Sequence, residues 1–395
     1  MHLAETIHAR ASERRLRVPD TWRRALLGGG LLWLASRLVV TAVAILSRWA
    51  SSGRPLGGQP FERLLFAWDS IHFDQIASGG YFVGPDAPEL PAFFPGYPVA
   101  SALAARALMF TRDPVAWGLF TVAALAGLTT CILLWRLAEH EGGVDVAFTA
   151  TALFVFSPYA VFLHASYSEP LFLAFAVGAW YAARKEAWWV AGLMAAGASF
   201  TRANGLFLVA ALVVMYVVMA RRAGRPLVRW TALGPLLGGL GAAGYVLWLW
   251  ARTGSPTTWP HAQEVGWERR TTWPWESFDA TVTMMLHHSH LDARPQFGLD
   301  IVFGFAAMLA IVWLASRRSW PTVVYAGLTV AAMVTSSSWV SLARNTLTLF
   351  PITIAIAATC TGGRWRRRSL TVVMALSVAL LGFNTHEFTL FKWAD

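Results

Sequence analysis

The stretch FAWDSIHFDQIASGGY at residues 66–81 sets Asp69, His72 and Asp74 among aromatic residues, just after the first long apolar run of the chain. A carboxylate beside Trp68 at a membrane surface is partly desolvated, the condition a general base requires. In helical register Trp68 and His72 share a face, with Asp69 and Ile76 near it, while Asp69 and Asp74 point apart. The two acids are therefore not expected to work as a pair. On these residues alone, an acid at a helix end or at the interface explains Asp69 better than a base does.

Other chemistries lack their signatures. The chain contains no D-x-D pair, no P-loop and no H-E-x-x-H, so metal-assisted nucleotide-sugar binding, nucleotide hydrolysis and zinc peptidase chemistry are not expected. HHSH at 287–290 has no carboxylate or cysteine at useful spacing, and a divalent metal is not expected there. GLGAAG at 239–244 fits the dinucleotide pattern by letters only, because it sits inside an apolar run with no strand before it. Close helix packing through small residues explains it. Cys131 and Cys360 both fall in expected spans, so they outline no disulfide framework.

The elements that must position these residues are membrane helices. Of 395 residues, 56% are hydrophobic and 14% charged, against roughly 25% charged in soluble domains, and mean hydropathy is +0.48. Apolar runs able to cross about 30 Å of hydrocarbon recur along the chain. The net charge of +10 would suggest nucleic acid in a soluble protein, but the basic residues cluster in short loops. That is a topology signal, and no nucleic-acid partner is expected.

The arginines near the N-terminus, RRLRVPDTWRR, invite a twin-arginine export reading. The run that follows, 25–47, is too long and lacks a small-residue cleavage site. It reads as a retained first span with a cytoplasmic N-terminus. RRAGRPLVR (221–229), SRR (316–318) and GGRWRRR (362–368) mark cytoplasmic loops, which leaves 252–298, SSSWVS (336–341) and the tail after Phe383 external. Parity is met if 93–110 is a partly inserted external helix, the alternative being a true span, and if 187–220 splits into two short helices meeting outside at TRANG (201–205). The expectation is an all-α polytopic membrane protein, one domain over 1–395, with about 11 transmembrane helices and two large external loops, about 49–113 and 252–298.

WDSIHFDQIASGGY at 68–81, AFFPGYP at 92–98 and SYSEPLF at 166–172 together resemble the PIG-V family, which holds the second mannosyltransferase of GPI-anchor assembly and its bacterial relatives. TRANG is similar to that family's Arg-x-Asn-Gly, and Gln263 with WERR at 267–270 to its Gln…Trp-x-Arg block. The chain departs from the pattern at Glu268, where glycine is expected, and at Asn345, where an aromatic is common.

The resemblance implies a GT-C type glycosyltransferase that takes mannose from a polyprenyl-phosphate-mannose donor and inverts the anomeric carbon. It further implies a multi-pass plasma (inner) membrane protein with its active site on the external side. Asp69 would be the catalytic base. Trp68, His72, Asp74, Tyr81, Glu169, Arg202, Asn204, Gln263, Trp267, Arg269 and Arg344 would contact substrate. Within that set Arg202 and Arg344 have the charge and fork geometry to stabilise a departing phosphate, or else they snorkel. Glu169 and Asn204 would bind sugar hydroxyls or cap helices. Arg37, inside the first span, is expected to pair within the bundle. Trp259, Trp267, Trp273 and Trp275 would stack on sugar or lipid, or form an interfacial belt. Expected partners are membrane lipid, the lipid-linked sugar donor, and a glycan, glycolipid or protein acceptor.

Two alternatives share much of this pattern. A flippase or transporter of lipid-linked saccharides would also need many spans, but its sites should lie near midplane on broken helices, whereas the polar residues here crowd the external ends. A protein O-mannosyltransferase would use the same donor and a Ser or Thr acceptor.

Overall fold

Apolar sequence becomes helix throughout. The computed structural model describes residues 20–84, 87–291, 293–360 and 364–392, and among these there is no strand. RRLRVP at 14–19 and the opening of the 362–368 tract lie outside the described residues.

The chain begins with α1 (Asp20–Ser52), followed by the short helices α2 (Asp69–Gly79) and α3 (Gly96–Ala107). Next come α4 (Pro114–Gly142) and α5 (Val144–Val155), then α6 (Glu169–Arg184), α7 (Trp188–Thr201) and α8 (Gly205–Arg222). Helical turns from Trp230 lead into α9 (Leu240–Thr253). The second large loop carries α10 (Thr258–Trp267) and α11 (Pro274–His287). The C-terminal part holds α12 (Arg294–Ser316), α13 (Trp320–Val334), α14 (Leu342–Asn345), α15 (Phe350–Cys360) and α16 (Arg364–Thr389).

Local chemistry sets the boundaries. Asp113 accepts a hydrogen bond from the Ala116 backbone N–H (3.1 Å) ahead of Pro114, so α4 starts with a side-chain cap and a proline in its first turn. It ends at Gly143, whose φ of 86° is open to glycine. Glu276 Oε2 likewise accepts from the Trp273 backbone N–H at the head of α11 (3.2 Å). Helix α4 is the hub of the bundle, packed on α1, α3, α5 and α6, while α7 bridges α6, α8 and α9.

About 11 spans are expected from sequence, and the helices found divide by length. Among the described residues six helices are long and apolar enough to cross a membrane, and a seventh span arises if α14 and its following turn are joined to α15 across a 72° bend. Helices α5, α6, α7 and α13 have 12, 16, 14 and 15 residues, below the roughly 20 of a full crossing. The expected span 146–164 shows why: Ser157 and Pro158 stop α5 at Val155, and the remaining residues form a separate 3-10 turn, Ala160–Leu163. The 93–110 segment forms α3, whose 12 residues reach about 18 Å and do not cross alone. Arg37 pairs inside the bundle, donating to His164 O (3.1 Å) and lying over the Phe120 ring (4.7 Å). The protein is an integral membrane protein of helical bundle type.

Chain alternation puts the key segments at one end. Helices α7 and α8 meet at TRANG, whereas α8 runs into the basic loop 223–229. Helix α13 likewise begins after the basic 316–318 turn and ends just before Ser341 and α14. The chemistry-bearing residues therefore share the end opposite the basic loops.

Candidate active site

Asp69 opens α2 behind a distorted turn. Trp68 has φ 53° and ψ −118°, an arrangement an L-residue adopts only at a cost of about 1–3 kcal/mol. Tyr167 holds that turn, its hydroxyl accepting from the Asp69 backbone N–H (3.3 Å) and donating to Ala67 O (3.2 Å). The SYSE block is thus fastened to the WDSIH block through one phenol.

Arg344 approaches from α14. Ser341 (φ 66°) turns the chain into this helix, and buried Asp300 of α12 accepts from the Ala343 backbone N–H (2.8 Å). The Arg344 guanidinium lies against the Phe162 and Tyr167 rings, 4.5 and 4.6 Å from their centroids. Phe388 of α16 packs on both of those rings. Nη2 of Arg344 donates to Asp69 Oδ2 (2.9 Å), and Nε donates to Glu169 Oε1 (2.7 Å). Arg202, at the C-terminal end of α7, places Nη1 2.9 Å from the same Glu169 oxygen and donates to Ser168 Oγ (3.0 Å). Two arginines therefore converge on one carboxylate that is 1% exposed.

Glycine permits the approach. A Cβ on Gly205 would lie 2.3 Å from Ser199, and one on Gly96 would lie 2.5 Å from Thr201 Oγ1. Gly96 thus brings the AFFPGYP block against the backbone at Phe200 and Thr201, next to Arg202, while Gly205 lets the start of α8 fold back on α7 at Ser199. AFFPGYP also receives the second loop, since Trp259 and Gln263 both donate to Ala92 O (3.2 Å each) and Phe93 meets the Trp267 ring edge-on.

These elements enclose a cavity of about 770 Å³. It is lined by Trp68, Asp69, Arg202, Asn204, Gln263, Trp267, Arg269 and Arg344, eight of the residues expected from sequence. Asn204 donates to Asn345 Oδ1 at the long distance of 3.5 Å.

Four others are not on the lining, and each is engaged elsewhere. His72 stacks on Phe93, with ring centroids 5.0 Å apart, and sets Nε2 3.7 Å from Glu89. Asp74 faces Arg63 at 3.7 Å, which is itself bonded to Asp113. Burial pushes the Asp74 carboxyl above its ordinary value against the pull of Arg63, and Asp113 adds to the rise. Tyr81 is buried among Tyr245 and Trp248 and donates to Phe93 O (2.9 Å). Glu169 lies behind the wall, bound to the arginines rather than offered to sugar hydroxyls. Trp273 and Trp275 stack on each other, well exposed and off the lining.

Sequence reasoning missed Arg270, Ser341, Asn345 and Phe388 on the lining, and Asp300 behind it. Arg270 belongs to the WERR block, and Asn345 stands next to Arg344, so both lie beside residues whose types do signal the site. Asp300, an acid inside an apolar run, does carry a signal, whereas Phe388 is one aromatic among many.

Residues 56–227 match the mannosyltransferase (PIG-V) family. This PIG-V segment contains the blocks at 68–81, 92–98, 166–172 and 201–205, while Gln263, Trp267 and Arg344 lie beyond it and reach the cavity through folding. The GPI alpha-1,6-mannosyltransferase 2 of Rattus norvegicus is 36% identical over 151 residues, covering 36% of this chain and 30% of that protein. The GPI mannosyltransferase 2 of Cryptococcus neoformans is 31% identical over 149 residues, covering 35% of this chain and 34% of that protein. The match thus spans about a third of each relative's length. Among solved structures, the apo oligosaccharyltransferase of Archaeoglobus fulgidus superposes with a TM-score of 0.50 at 12% identity, over 92% of this chain and 56% of that one. That is a likeness of fold, and the fold is the GT-C type.

Proposed function

We propose that this protein is a membrane mannosyltransferase that moves mannose from a polyprenyl-phosphate-mannose donor to an acceptor hydroxyl, on the external face of the plasma membrane, with inversion. The observation that carries this reading is the shared placement of Asp69, Arg344, Glu169 and Arg202 at the wall of one cavity. The PIG-V segment and the names of its relatives supply the sugar, and the basic loops at the opposite end support the sidedness.

The geometry divides the work. Arg344 holds Asp69 by Oδ2, and no partner among the described residues takes Oδ1. That oxygen is the one to accept the acceptor's proton. As the hydroxyl oxygen bonds to the anomeric carbon, the bond from that carbon to the phosphate oxygen breaks and its electron pair stays on the phosphate. Arg202, with Nη1 on Glu169 and Ser168 and no partner among the described residues for Nε or Nη2, is the phosphate ligand. Arg344 adds its charge beside it, and a guanidinium already fixed by aromatic faces and carboxylates needs little reorganisation when charge develops. Trp68 and Trp267 offer faces to the sugar.

The test supplies purified protein with radiolabelled polyprenyl-phosphate-mannose and a membrane extract. Label should pass from donor to a new glycolipid, glycan or protein product, and its class identifies the acceptor. Donor left unconsumed by folded protein would overturn the reading.

A further inference from the structure

A second cavity lies at the other end of the bundle, among residues the proposed reaction does not use. It has a volume of about 130 Å³ and is formed where the end of α8, the loop after it and the start of α7 meet. Trp188, Met219, Ala220 and Pro226 supply its apolar wall. Tyr216 and Thr231 supply two hydroxyls, 3.3 Å apart.

Its charged residues are Glu186, Arg225 and Arg229. Arg225 is bonded to Glu186, so that pair is balanced. Arg229 has no ion pair or side-chain hydrogen bond among the described residues, which leaves the cavity one positive charge in excess. The adjoining chain is unusual for a charged loop, because Val228 is 95% and Trp230 80% exposed. This loop connects two of the helices long and apolar enough to span, Gly205–Arg222 and Trp230–Thr253, so it lies at a membrane face whichever leaflet that is. An arginine beside a hydroxyl-lined hollow, flanked by apolar side chains at that depth, matches a ligand with an anionic head and a greasy body.

We propose that this cavity binds the headgroup phosphate of an anionic phospholipid, with Arg229 as the principal ligand, Arg225 beside it, and Val228 and Trp230 set among the acyl chains. Choline-bearing lipid is disfavoured, because its own cation lies next to the phosphate and faces the arginines.

Thermal unfolding of the full-length protein in detergent tests this, with phosphatidylglycerol, phosphatidylcholine or inorganic phosphate added separately. Phosphatidylglycerol should raise Tm by about 2–4 °C, and the other two should leave it unchanged. Arg229→Gln and the Arg225→Gln/Arg229→Gln variant should abolish the rise while keeping the lipid-free Tm, since both side chains are on the surface. Arg317→Gln, in the basic turn 316–318, should retain it. An equal rise with phosphatidylcholine, or a rise that survives in both cavity variants, overturns the site. A rise reproduced by inorganic phosphate overturns the lipid as its ligand.

Discussion

Arg344 donates to Asp69 across 275 residues of chain, Nη2 to Oδ2 at 2.9 Å, with its guanidinium clasped between Phe162 and Tyr167. Asp69 is therefore held by an oriented cation rather than resting only against Trp68. One carboxylate oxygen anchors the group, and in the proposed mechanism the other accepts the proton.

Removing that chemistry while keeping the shape should separate catalysis from folding. Asp69→Asn is expected to bind polyprenyl-phosphate-mannose normally and to lose turnover by roughly 10²- to 10⁴-fold, the usual worth of a general base. Single-turnover transfer by folded, purified variant is the measurement. Near wild-type transfer would remove Asp69 from the role of base.

The two arginines should fail differently. Arg202→Ala should chiefly raise the donor KM, losing about 1.5–3 kcal/mol of charge-assisted hydrogen bonding, and Arg202→Lys should recover only part because the planar fork is gone. Arg344→Ala leaves Asp69 and Glu169 short of a buried counter-charge, so a lowered melting temperature should accompany its lost activity, on a scale of about 3–5 kcal/mol. If both variants keep donor affinity, turnover and stability, neither arginine serves the phosphate or the carboxylates.

In the proposed mechanism Glu169 acts through its arginines. Glu169→Gln should keep the fold better than Glu169→Ala and should alter donor KM and kcat together, as both cations relax. An effect on acceptor KM alone would instead put Glu169 in contact with the sugar acceptor.

Asp74 provides a pH test away from the cavity. Its folded pKa is raised by burial, so its contribution to stability is present at acid pH and is lost as pH rises through the folded value. Asp74→Asn should therefore keep activity, and its stability relative to wild type should improve as pH climbs from the acid range to neutrality. Denaturation curves at several pH values check the sign, and a variant that weakens relative to wild type over that rise contradicts it.

The proposed sidedness has its own test. Cysteines introduced at 86, outside the described residues, and at 264 should react with an impermeant maleimide on intact cells, while one at 223 should not. Labelling of 223 with 86 and 264 silent would place the cavity in the cytoplasm and end the external mechanism.

Hydropathy and residue type are local properties, which is why so much is legible before folding. Apolar runs name the helices, the basic loops 221–229 and 316–318 order their ends, and Asp69, Arg202 and Arg344 stand out as charges where charge is expensive. Helix length is less legible, because Pro158 ends α5 inside a continuous apolar run and α14 and α15 meet at a 72° bend. Direction of side chains is legible only within one helix, where register already sets Asp69 and Asp74 apart, as their separate partners Arg344 and Arg63 show. His72 and Tyr81 look like site residues by type, yet packing turns them onto Phe93, where they brace the wall they were expected to line. The pairing of Asp69 with Arg344, and of Arg202 with Glu169, depends on contacts between segments far apart in sequence. Such contacts are decided by which helices pack together, and by glycines such as Gly96 and Gly205 that let two backbones meet. Sequence named the charges; tertiary packing decided which of them face one another, because direction and distance exist only once the helices are assembled.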